Sequence, residues 1–402
     1  MKRYDIVAKS TGTLPYGIDF ELDGMLYATV KTNPRKGAMN SFDASKAEKM
    51  RGVSKIVPLQ NGVGVIADNT WRAFQAAEAI LFDWAQAPYP AQMDDHWQAL
   101  EASFSEEQLD ARTRDEGDVV SALVGAGVNV IETEYRAPYV AHQPLEPLGA
   151  VARVTTDRID IWTCTQSPGF ARTSVAKQTG MDESKIFLHV LYGGGSFGHR
   201  LETQVINQAV TLAQAVSGTP VKLTYRREED FAQDFPRQIA MARAKGTVKN
   251  GQVETLDLSI AMPSVMSSQL GRLGFSLPGP DASDCRRRLG STLRYPQLPR
   301  IRLPRTRIGA HQFMARRWCL NEWFFPRLRA RRTYPCGGRR PLGRTHPLDV
   351  ARAITQGLGS SGRDVRLGQP HGRKSRSRRC LLPILWRSCC RSGGSNEHTL
   401  KA

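Results

Sequence analysis

The segment LYGGGSFGHR at residues 191–200 carries the strongest chemical signal in this sequence. Its three successive glycines allow positive φ and a close approach of the backbone to a ligand. The helix predicted after it would present its N-terminal N–H groups to an anion. A Gly-rich turn between a strand and a helix explains the same residues equally well, and the segment matches neither GxGxxG nor a Gly-Lys-Ser/Thr phosphate loop. It is therefore a candidate ligand-binding loop with a structural alternative.

A glutamine precedes this loop at a position where the two could meet. The segment TCTQSP places Gln166 at the C-terminal end of a predicted strand. In an α/β layer that edge is where ligands bind, and an amide there can donate a hydrogen bond to a polar ligand. The alternative is an ordinary residue at the end of a strand.

Two further groups of polar residues favour structural roles. His142 and Glu146 are four residues apart in AHQPLEPLG, but Pro144 and Pro147 exclude a helix that would bring them onto one face. The charged run YRREEDFAQDF, residues 225–235, is typical of a solvated helix start with acidic side chains near the positive end of the dipole. We expect neither a metal pair from the first group nor catalysis from the second.

The elements that would position these residues follow from the hydrophobic pattern. Strands and helices alternate between residues 159 and 225, which favours an α/β layer. Asn-Gly and Asp-Gly pairs between apolar runs predict hairpin turns. The predicted hairpins turn at Asp23-Gly24, Asn61-Gly62 and Asn250-Gly251, and the predicted helices cover about residues 41–50, 71–85, 168–180 and 202–216.

The charge of the chain is divided between two unlike parts. The net charge of +18 suggests a protein that binds nucleic acid or a membrane surface. However, residues 284–402 contain 26 Arg, 2 Lys and 5 acidic residues, a net of +23, which leaves a net of −5 for residues 1–283. Six of the seven cysteines also lie in the second part, without a CxxC or Cys/His spacing that suits zinc. The first part alone does not suggest a nucleic-acid binder.

Residues 284–402 lack the pattern of a folded chain. Segments such as CRRRLG, RLRARR and RKSRSRRC are rich in Arg, with scattered Pro and Gly, and no window keeps a helical or strand period beyond one turn. Natural basic tails mix Lys with Arg and contain few Trp, Cys or Phe. We therefore expect a tail without a defined fold.

The sequence shows no signal peptide at Met1 and no apolar run near the ~20 residues that cross a bilayer. As written, the chain is expected to stay in the cytoplasm. It is also expected to have no membrane span.

Five segments, taken in order, resemble one family. They are STGTLPYGIDFELDGMLYATV, HQPLEP, WTCTQSP, YGGGSFGHR and PVKLTYRREED, and the match covers about residues 4–283. The chain is similar to the molybdenum-binding subunit of the molybdenum hydroxylases, the xanthine dehydrogenase and aldehyde oxidase superfamily. It is most similar to the isoquinoline 1-oxidoreductase beta-subunit type. The GGGSFG segment together with the upstream Thr-Gln is the most specific part of the resemblance.

The resemblance implies an α+β chain in four parts. Residues 1–90 would form an α/β-hammerhead domain, and residues 91–129 a connection. Residues 130–283 would form the first part of an α/β molybdopterin-binding domain. Residues 284–402 would be an Arg-rich tail.

The resemblance also implies a cofactor, a partner and a reaction. Gln166 would donate to an oxo ligand of molybdenum, and the backbone N–H groups of the loop would reach the pterin. The loop residues are Gly194, Gly195, Ser196, Phe197 and Gly198. The cofactor would be molybdenum-molybdopterin cytosine dinucleotide, and electrons would leave through an iron–sulfur [2Fe-2S] alpha subunit. Such enzymes hydroxylate an N-heterocyclic aromatic or aldehyde carbon with oxygen from water, and full-length relatives of the isoquinoline type are often periplasmic.

The sequence departs from the family in ways that matter for activity. Family subunits are longer, with a pterin-binding segment before the hammerhead and a second binding domain after residue 283. Their base glutamate lies in a C-terminal Gly-Glu motif, which Glu322 and Glu397, the only glutamates of the tail, do not match. His199 stands where Arg or Gly is commoner. No catalytic residue is assigned, and we expect this chain to be inactive.

A one-base shift of reading frame would explain the tail. When LRYPQLPRI, residues 293–301, is back-translated with GC-rich codons and read one base later, the family-like sequence Cys-Ala-Ile-Pro-Asn-Tyr-Arg-Val is obtainable. With the same offset, WCLNEWFF at 318–325 gives Gly-Ala-Ser-Met-Asn-Gly-Phe. Shifted GC-rich codons also account for the excess of Arg, Cys and Trp. The hypothesis is a single-base insertion or deletion near codons 280–288, which truncates the family sequence.

Two other interpretations stay open. The Arg-rich tail could bind nucleic acid by neutralising phosphates, with a steep salt dependence, although its Arg residues follow no periodic face. A structural or regulatory paralogue that kept the hammerhead and lost catalysis is the third interpretation.

Overall fold

The computed structural model describes residues 4–112, 117–126, 130–249, 252–272 and 301–306. These residues contain fourteen strands in three sheets and eight α-helices. The strands are β1 (Leu26–Thr32), β2 (Met39–Asp43), β3 (Val53–Leu59), β4 (Gly62–Ala67), β5 (Leu81–Trp84), β6 (Leu109–Arg112), β7 (Val130–Ala137), β8 (Gly149–Val154), β9 (Ile159–Thr163), β10 (Ile186–Val190), β11 (Val221–Thr224), β12 (Ala240–Lys249), β13 (Gln252–Pro263) and β14 (Ile301–Thr306). The helices are α1 (Ile6–Thr11), α2 (Thr70–Glu78), α3 (Met93–Ala102), α4 (Val119–Gly125), α5 (Pro168–Thr179), α6 (Gln204–Gln214), α7 (Arg227–Gln233) and α8 (Val265–Arg272).

The seven-stranded sheet has the order β10-β9-β8-β11-β1-β4-β3. Its centre joins segments that are distant in sequence, because β1 runs parallel to β11 with Leu26 opposite Val221 and antiparallel to β4. Helix α6 packs on β8 and β11. Its buried residues recur at the spacing of one helical face, which fixes the helix on the sheet. They are Val205, Ile206, Ala209, Val210, Leu212 and Ala213.

The second sheet has the order β6-β14-β13-β12-β7, and a separate pair is formed by β2 and β5. Strands β12 and β13 are long and antiparallel, with Met241 opposite Ala261. Helix α3 places Leu100 against Ile239, Met241 and Ala261 in a small core of buried side chains. None of the helices within the described ranges is long and apolar enough to cross a membrane.

Several predicted elements are confirmed. β3 and β4 form the hairpin expected at Asn61-Gly62, with Leu59 opposite Gly62. β12 and β13 pair as expected, although the turn residues Asn250 and Gly251 themselves lie outside the described residues. Helix α5 begins at Pro168 and ends before Gly180, whose φ of 72° is the left-handed conformation typical of a helix C-terminus.

Three predictions in the first 90 residues are wrong. There is no hairpin at Asp23-Gly24, because only β1 follows this turn and the preceding chain contains helix α1 and a 3-10 turn at Gly17–Asp19. Residues 41–50 form the end of β2 and a 3-10 turn rather than a helix. The helix predicted over 71–85 ends at Glu78, since the apolar run after it pairs with β2 as strand β5. For β2 and β5, pairing between distant strands overrides the local pattern.

One short stretch of the tail differs from the expectation that it has no defined fold. β14 (Ile301–Thr306) runs parallel to β13 and antiparallel to β6, with a shift of register between Leu303 and Pro304. The backbone groups at a sheet edge accept almost any extended segment, so a strand here requires no side-chain period. The rest of the predicted tail lies outside the described residues.

The glycines of the central sheet give a test of this packing. A Cβ added to Gly62 would overlap the carbonyl oxygen of Lys31 in the neighbouring strand. Gly62→Ala should therefore destabilise the protein by about 1–3 kcal/mol, as overpacking of a core does. Gly169→Ala is the control, because its Cβ would meet nothing within 4 Å, and Ala is favoured in the helix by up to about 1 kcal/mol. Denaturant unfolding of both variants measures the difference, and equal stabilities would contradict the strand register.

Candidate functional site

The glycine-rich loop follows β10 and leads through a 3-10 turn at His199–Leu201 into α6. Gly195 and Gly198 have φ values of 109° and 115°, which only glycine adopts readily. Gly193 and Gly194 are required for a different reason. A Cβ on Gly193 would overlap the thiol of Cys164, and one on Gly194 would lie 2.7 Å from the Cβ of Glu146. The loop is thus shaped by close packing on the residues beneath it.

Gln166 lies beside this loop, just after the end of β9. Its backbone N–H donates to the Arg200 carbonyl at 2.9 Å, and its side-chain Oε1 accepts from the Gly198 N–H at 3.1 Å. The residue is exposed. Because the amide oxygen is already engaged, the NH₂ group is the part of the side chain that a ligand would meet, and it can only donate. The structure therefore brings together the two candidate features, Gln166 and the loop at Gly194–Gly198.

A buried ion pair lies under the loop. Arg200 is 2% exposed and Glu146 is 8% exposed, and the Arg200 Nη2 lies 3.2 Å from the Glu146 Oε2. The same guanidinium donates to the carbonyl oxygens of Gly195 at 2.9 Å and Glu146 at 3.0 Å. The Glu146 carboxylate also accepts the Gly194 N–H. Arg200 and Glu146 together thus hold the first half of the loop in place.

The N-terminal segment closes this network from a third direction. The Ile18 N–H donates to the Glu146 Oε1 at 2.8 Å, and the Gly17 N–H donates to the Tyr192 carbonyl at 2.9 Å. Lys222 on β11 donates from its Nζ to the Ile18 carbonyl at 2.6 Å. Glu146 therefore holds two chain segments, around residue 18 and residue 194, that are far apart in the sequence.

A second polar cluster lies at the C-terminal end of the loop, around His199. The His142 Nδ1 donates to the Asp234 Oδ1 at 2.7 Å, and the His142 N–H donates to the Asp234 Oδ2 at 2.9 Å. The His199 Nδ1 lies 3.1 Å from the same Asp234 Oδ1, and the His199 Nε2 lies 3.3 Å from the Asp230 Oδ1. The two imidazole rings are stacked, with centroids 5.4 Å apart. We refer to His142, His199, Asp230 and Asp234 as the histidine–aspartate cluster.

The cluster also has the spacing of possible metal ligands. His142, His199 and Asp234 each offer an atom within 4.8 Å of the others, and all three are buried. These distances also suit shared protons. His199 also contacts a second carboxylate, that of Asp230, so each nitrogen of its ring faces a carboxylate. This arrangement favours shared protons over a bound metal ion. His142 and Glu146, which the sequence placed four residues apart, belong to separate networks.

The charged run at residues 225–235 was expected to be solvated, and this prediction is wrong. It forms helix α7, in which Glu229 and Asp230 are buried, and Asp234 follows it in a buried position. Burial raises the pKa of the Glu229 carboxyl, although hydrogen bonds from Thr32 and Gln233 act in the opposite direction. The local sequence gives no sign of this burial, because it depends on Thr32 and His199, which lie 197 and 31 residues away from Glu229 and Asp230.

Comparison with known proteins shows which family this region of the chain resembles. Residues 104–274 match the molybdopterin cofactor-binding domain family. The chain is 28% identical over 272 residues to a nicotinate dehydrogenase subunit of Pseudomonas putida, covering 65% of this chain and 23% of that protein. It is 28% identical over 275 residues to the beta subunit of isoquinoline 1-oxidoreductase from Brevundimonas diminuta, covering 65% and 35%. The chain thus contains a match to a molybdopterin cofactor-binding domain and is similar, over 65% of its length, to molybdenum-binding subunits of the xanthine dehydrogenase and aldehyde oxidase superfamily.

Solved structures show the same fold. The aldehyde oxidoreductase from Desulfovibrio gigas superposes with a TM-score of 0.60 at 18% identity, over 85% of this chain and 44% of that one. The quinoline 2-oxidoreductase from Pseudomonas putida 86 gives 0.58 at 18% identity, over 78% and 45%. The chain thus spans less than half the length of these two proteins. The resemblance predicted from the sequence is confirmed.

The residues around the loop fit the cofactor of this superfamily. A molybdopterin group presents oxo and phosphate oxygens, which accept hydrogen bonds. The NH₂ of the exposed Gln166 is a donor, and Gly195 and Gly198 add no side chain on either side of Ser196 and Phe197. The donor set and the open backbone therefore suit an anionic, oxo-bearing ligand.

The ion pair under the loop should dominate its stability. Arg200→Met leaves the Glu146 carboxylate buried without its cation, which should cost about 3–5 kcal/mol in the free energy of unfolding. The control is Arg172→Met, whose partner Glu183 and own side chain are 42% and 47% exposed. Exposed pairs contribute about 0.2–1 kcal/mol. Urea unfolding of both variants decides the point, and similar losses would show that the Arg200 pair is not anchoring the loop.

The histidine–aspartate cluster predicts a pH dependence of stability. Burial alone would lower the pKa of His199, but hydrogen bonds to Asp230 and Asp234 outweigh it and raise the pKa from 6.5 to about 9. A base with a raised folded-state pKa stabilises the protein fully below pH 6.5, and this stabilisation is lost as the pH rises through 9. The loss should be about 3 kcal/mol between these limits.

Unfolding at a series of pH values from 6 to 10 measures this change. His199→Gln should be less stable than wild type at pH 6, and the difference should shrink towards pH 10. A difference that stays constant across this range would mean that His199 carries no extra proton in the folded protein.

Proposed function

We propose that residues 4–283 are the first cofactor-binding part of the large subunit of a molybdenum hydroxylase. The reaction is oxidation of an N-heterocyclic aromatic or aldehyde carbon, with water as the source of oxygen. The observation that carries the proposal is the amide of the exposed Gln166, whose oxygen accepts the Gly198 N–H and whose NH₂ group is left as a donor beside the glycine loop. The nicotinate, isoquinoline and quinoline enzymes among the similar proteins support the heterocyclic substrate class.

The chain's own residues bind and orient the cofactor. A bound molybdopterin supplies the two-electron redox chemistry. Gln166 would donate a hydrogen bond to an oxo group, and the backbone N–H groups of Gly195 and Ser196 would face the pterin side. The N–H groups of Gly194 and Gly198 are already donated to Glu146 and Gln166 and hold the loop in place. Arg200 and Glu146 keep the first half of the loop fixed, so that these donors need not reorganise when the cofactor binds.

Five finer assignments belong to the same proposal. The cofactor takes the molybdopterin cytosine dinucleotide form, and the partner is an iron–sulfur [2Fe-2S] alpha subunit. Residues 1–90 form the α/β-hammerhead domain, residues 91–129 the connection, and residues 130–283 the partial molybdopterin-binding domain. The nicotinate and isoquinoline relatives are named as subunits, which supports a partner chain.

We propose further that residues 284–402 are translated out of frame and that this chain is inactive. The only glutamates after residue 283 are Glu322 and Glu397, and neither stands in a Gly-Glu motif that could supply the base. Both lie outside the described residues. Loss of a general base alone lowers the rate by about 10²–10⁴. The shift of net charge from −5 to +23 at about residue 284 supports the frame break.

The nucleotide sequence of the gene tests the frame break directly. We expect the +1 frame after codons 280–288 to be open and to encode the two family-like segments that follow Ser283. Early stop codons in that frame, or an unrelated product, would contradict the proposal.

The enzymatic part is tested by comparing this chain with a frame-restored version. Purified residues 1–402 should contain no molybdenum by mass spectrometry and should not turn over an N-heterocycle, whereas the frame-restored subunit should do both when co-produced with its iron–sulfur partner. In the restored protein, Gln166→Ala should lower kcat, because it removes a donor to the cofactor. Gln178→Ala on the exposed face of α5 is the matched control and should leave kcat unchanged. Bound molybdenum and turnover in the 402-residue chain would overturn its predicted inactivity.

A further inference from the structure

His199 ends the cofactor loop and is buried between two carboxylates. It follows Gly198 directly, and its side chain is 2% exposed. Its two ring nitrogens lie 3.3 Å from the Asp230 Oδ1 and 3.1 Å from the Asp234 Oδ1. A neutral imidazole has one donor nitrogen and one lone pair, so it would point a lone pair at one of these carboxylates. Only the imidazolium satisfies both contacts.

We propose that His199 is a positioning residue, whose protonated ring anchors the second half of the cofactor loop to helix α7 and preforms the loop for its ligand. The inference rests on the proposed function for the role of the loop, but the anchoring itself is a property of this chain alone. It also assigns a role to the residue at which the sequence departs from the commoner Arg or Gly of the family.

The second half of the loop needs such an anchor. Arg200 fixes the first half through the Gly195 carbonyl. Beyond it, Phe197 and Gly198 have consecutive positive φ values of 57° and 115°. A left-handed conformation is unfavourable for Phe and persists only when its surroundings impose it. The contacts that hold this stretch include the Gly198 N–H to Gln166, the His199 N–H to the Ser196 carbonyl at 2.9 Å, and the His199 ring.

The charged groups that face the His199 ring are balanced when the ring carries one extra proton. The facing groups are Asp230 on α7, Asp234 after it, and His142 from the loop before β8. Asp230 also pairs with Arg227 at 2.7 Å, and its Oδ1 accepts the Leu148 N–H at 3.1 Å. Lys36 approaches Asp234, and burial lowers its pKa to about 8 against the attraction of that carboxylate. Asp234 therefore relies mainly on the two histidine rings for its hydrogen-bond donors, and on His199 for a positive partner.

Asp234 couples the cofactor loop to the neighbouring loop. Its Oδ1 contacts both His142 and His199, and its Oδ2 accepts the His142 backbone N–H. Burial would raise the pKa of Asp234, but the hydrogen bonds from the two histidines outweigh it and hold the pKa below its usual range. Loss of one His199 proton would leave either Asp234 or Asp230 facing a lone pair, so the contact between the cofactor loop and the segment around α7 would weaken.

Hydrogen–deuterium exchange of the full 402-residue chain tests the anchor without any cofactor. Exchange at the imidazole C2 position reports the protonation of His199. Exchange of the amides of residues 194–201, corrected for the intrinsic pH dependence, reports the order of the loop. We expect His199 to titrate near pH 9, and loop protection to fall at least tenfold between pH 8 and pH 10, with the same midpoint.

Variants separate charge from simple packing. His199→Gln should exchange its loop amides at least tenfold faster than wild type at pH 7, because a neutral amide cannot donate to both carboxylates with its two ends. His199→Arg keeps a permanent charge and should retain loop protection above pH 9. His189→Gln is the control, because His189 is 44% exposed and pairs with a single carboxylate, that of Asp160. It should leave the loop unchanged.

Two results would overturn the inference. One is a His199 midpoint near 6.5, and the other is loop protection that does not change from pH 8 to pH 10 in the wild type. Both are measured on the wild-type protein, so misfolding of a variant does not remove the test. If the loop behaves as expected but the frame-restored protein binds no molybdopterin, the proposed function fails while the anchor stands.

Discussion

The buried pair between Arg200 and Glu146 is the interaction on which the site depends. Neither charge could remain in this position alone, because an unpaired buried ion costs several kcal/mol. The guanidinium uses its remaining donors on the Gly195 and Glu146 carbonyls, and the carboxylate uses its remaining oxygen on Ile18. The segments around Ile18 and Gly194–Gly195 are thereby tied to this one pair. The glycines complete the arrangement, since a Cβ at Gly194 would push the loop away from Glu146.

The histidine–aspartate cluster also holds the loop through a buried ion pair, but with a histidine in place of an arginine. Arg200 is charged at every accessible pH, whereas a histidine is charged only while its surroundings keep it so. The two anchors act on opposite halves of a loop of five residues. Their carboxylates come from different places, Glu146 from the chain before β8 and Asp230 from helix α7. The loop therefore has a permanent anchor at its start and a protonation-dependent one at its end.

The sequence predicts the parts of this structure that depend on local pattern. Helix α5 could be bounded by Pro168 and Gly180, and the β3–β4 hairpin by its Asn61-Gly62 turn, because both signals act within a few residues. Strand β5 could not be predicted, since its apolar run continues the helical pattern of α2 and becomes a strand only through pairing with β2. The burial of Glu229 and Asp230 was missed for a related reason. A charged helix is solvated or buried according to its partners, and here these lie in β1, in the loop before β8 and after Gly198.

The seven-stranded sheet links the front of the chain to the cofactor-binding region more closely than a division at residues 90 and 130 suggests. β1, β4 and β3 extend the sheet beyond β11, and the parallel pairing of Leu26 with Val221 covers what would otherwise be an open edge. An uncovered edge of that kind invites pairing with other chains. The site depends on the same connection, because Gly17 and Ile18 bond to Tyr192 and Glu146 at the base of the loop. Residues 130–249 without the first 67 would thus lose the three strands that cover β11 and the contacts of Gly17 and Ile18 at the base of the glycine loop. The two regions must therefore fold as one structure for the loop to form.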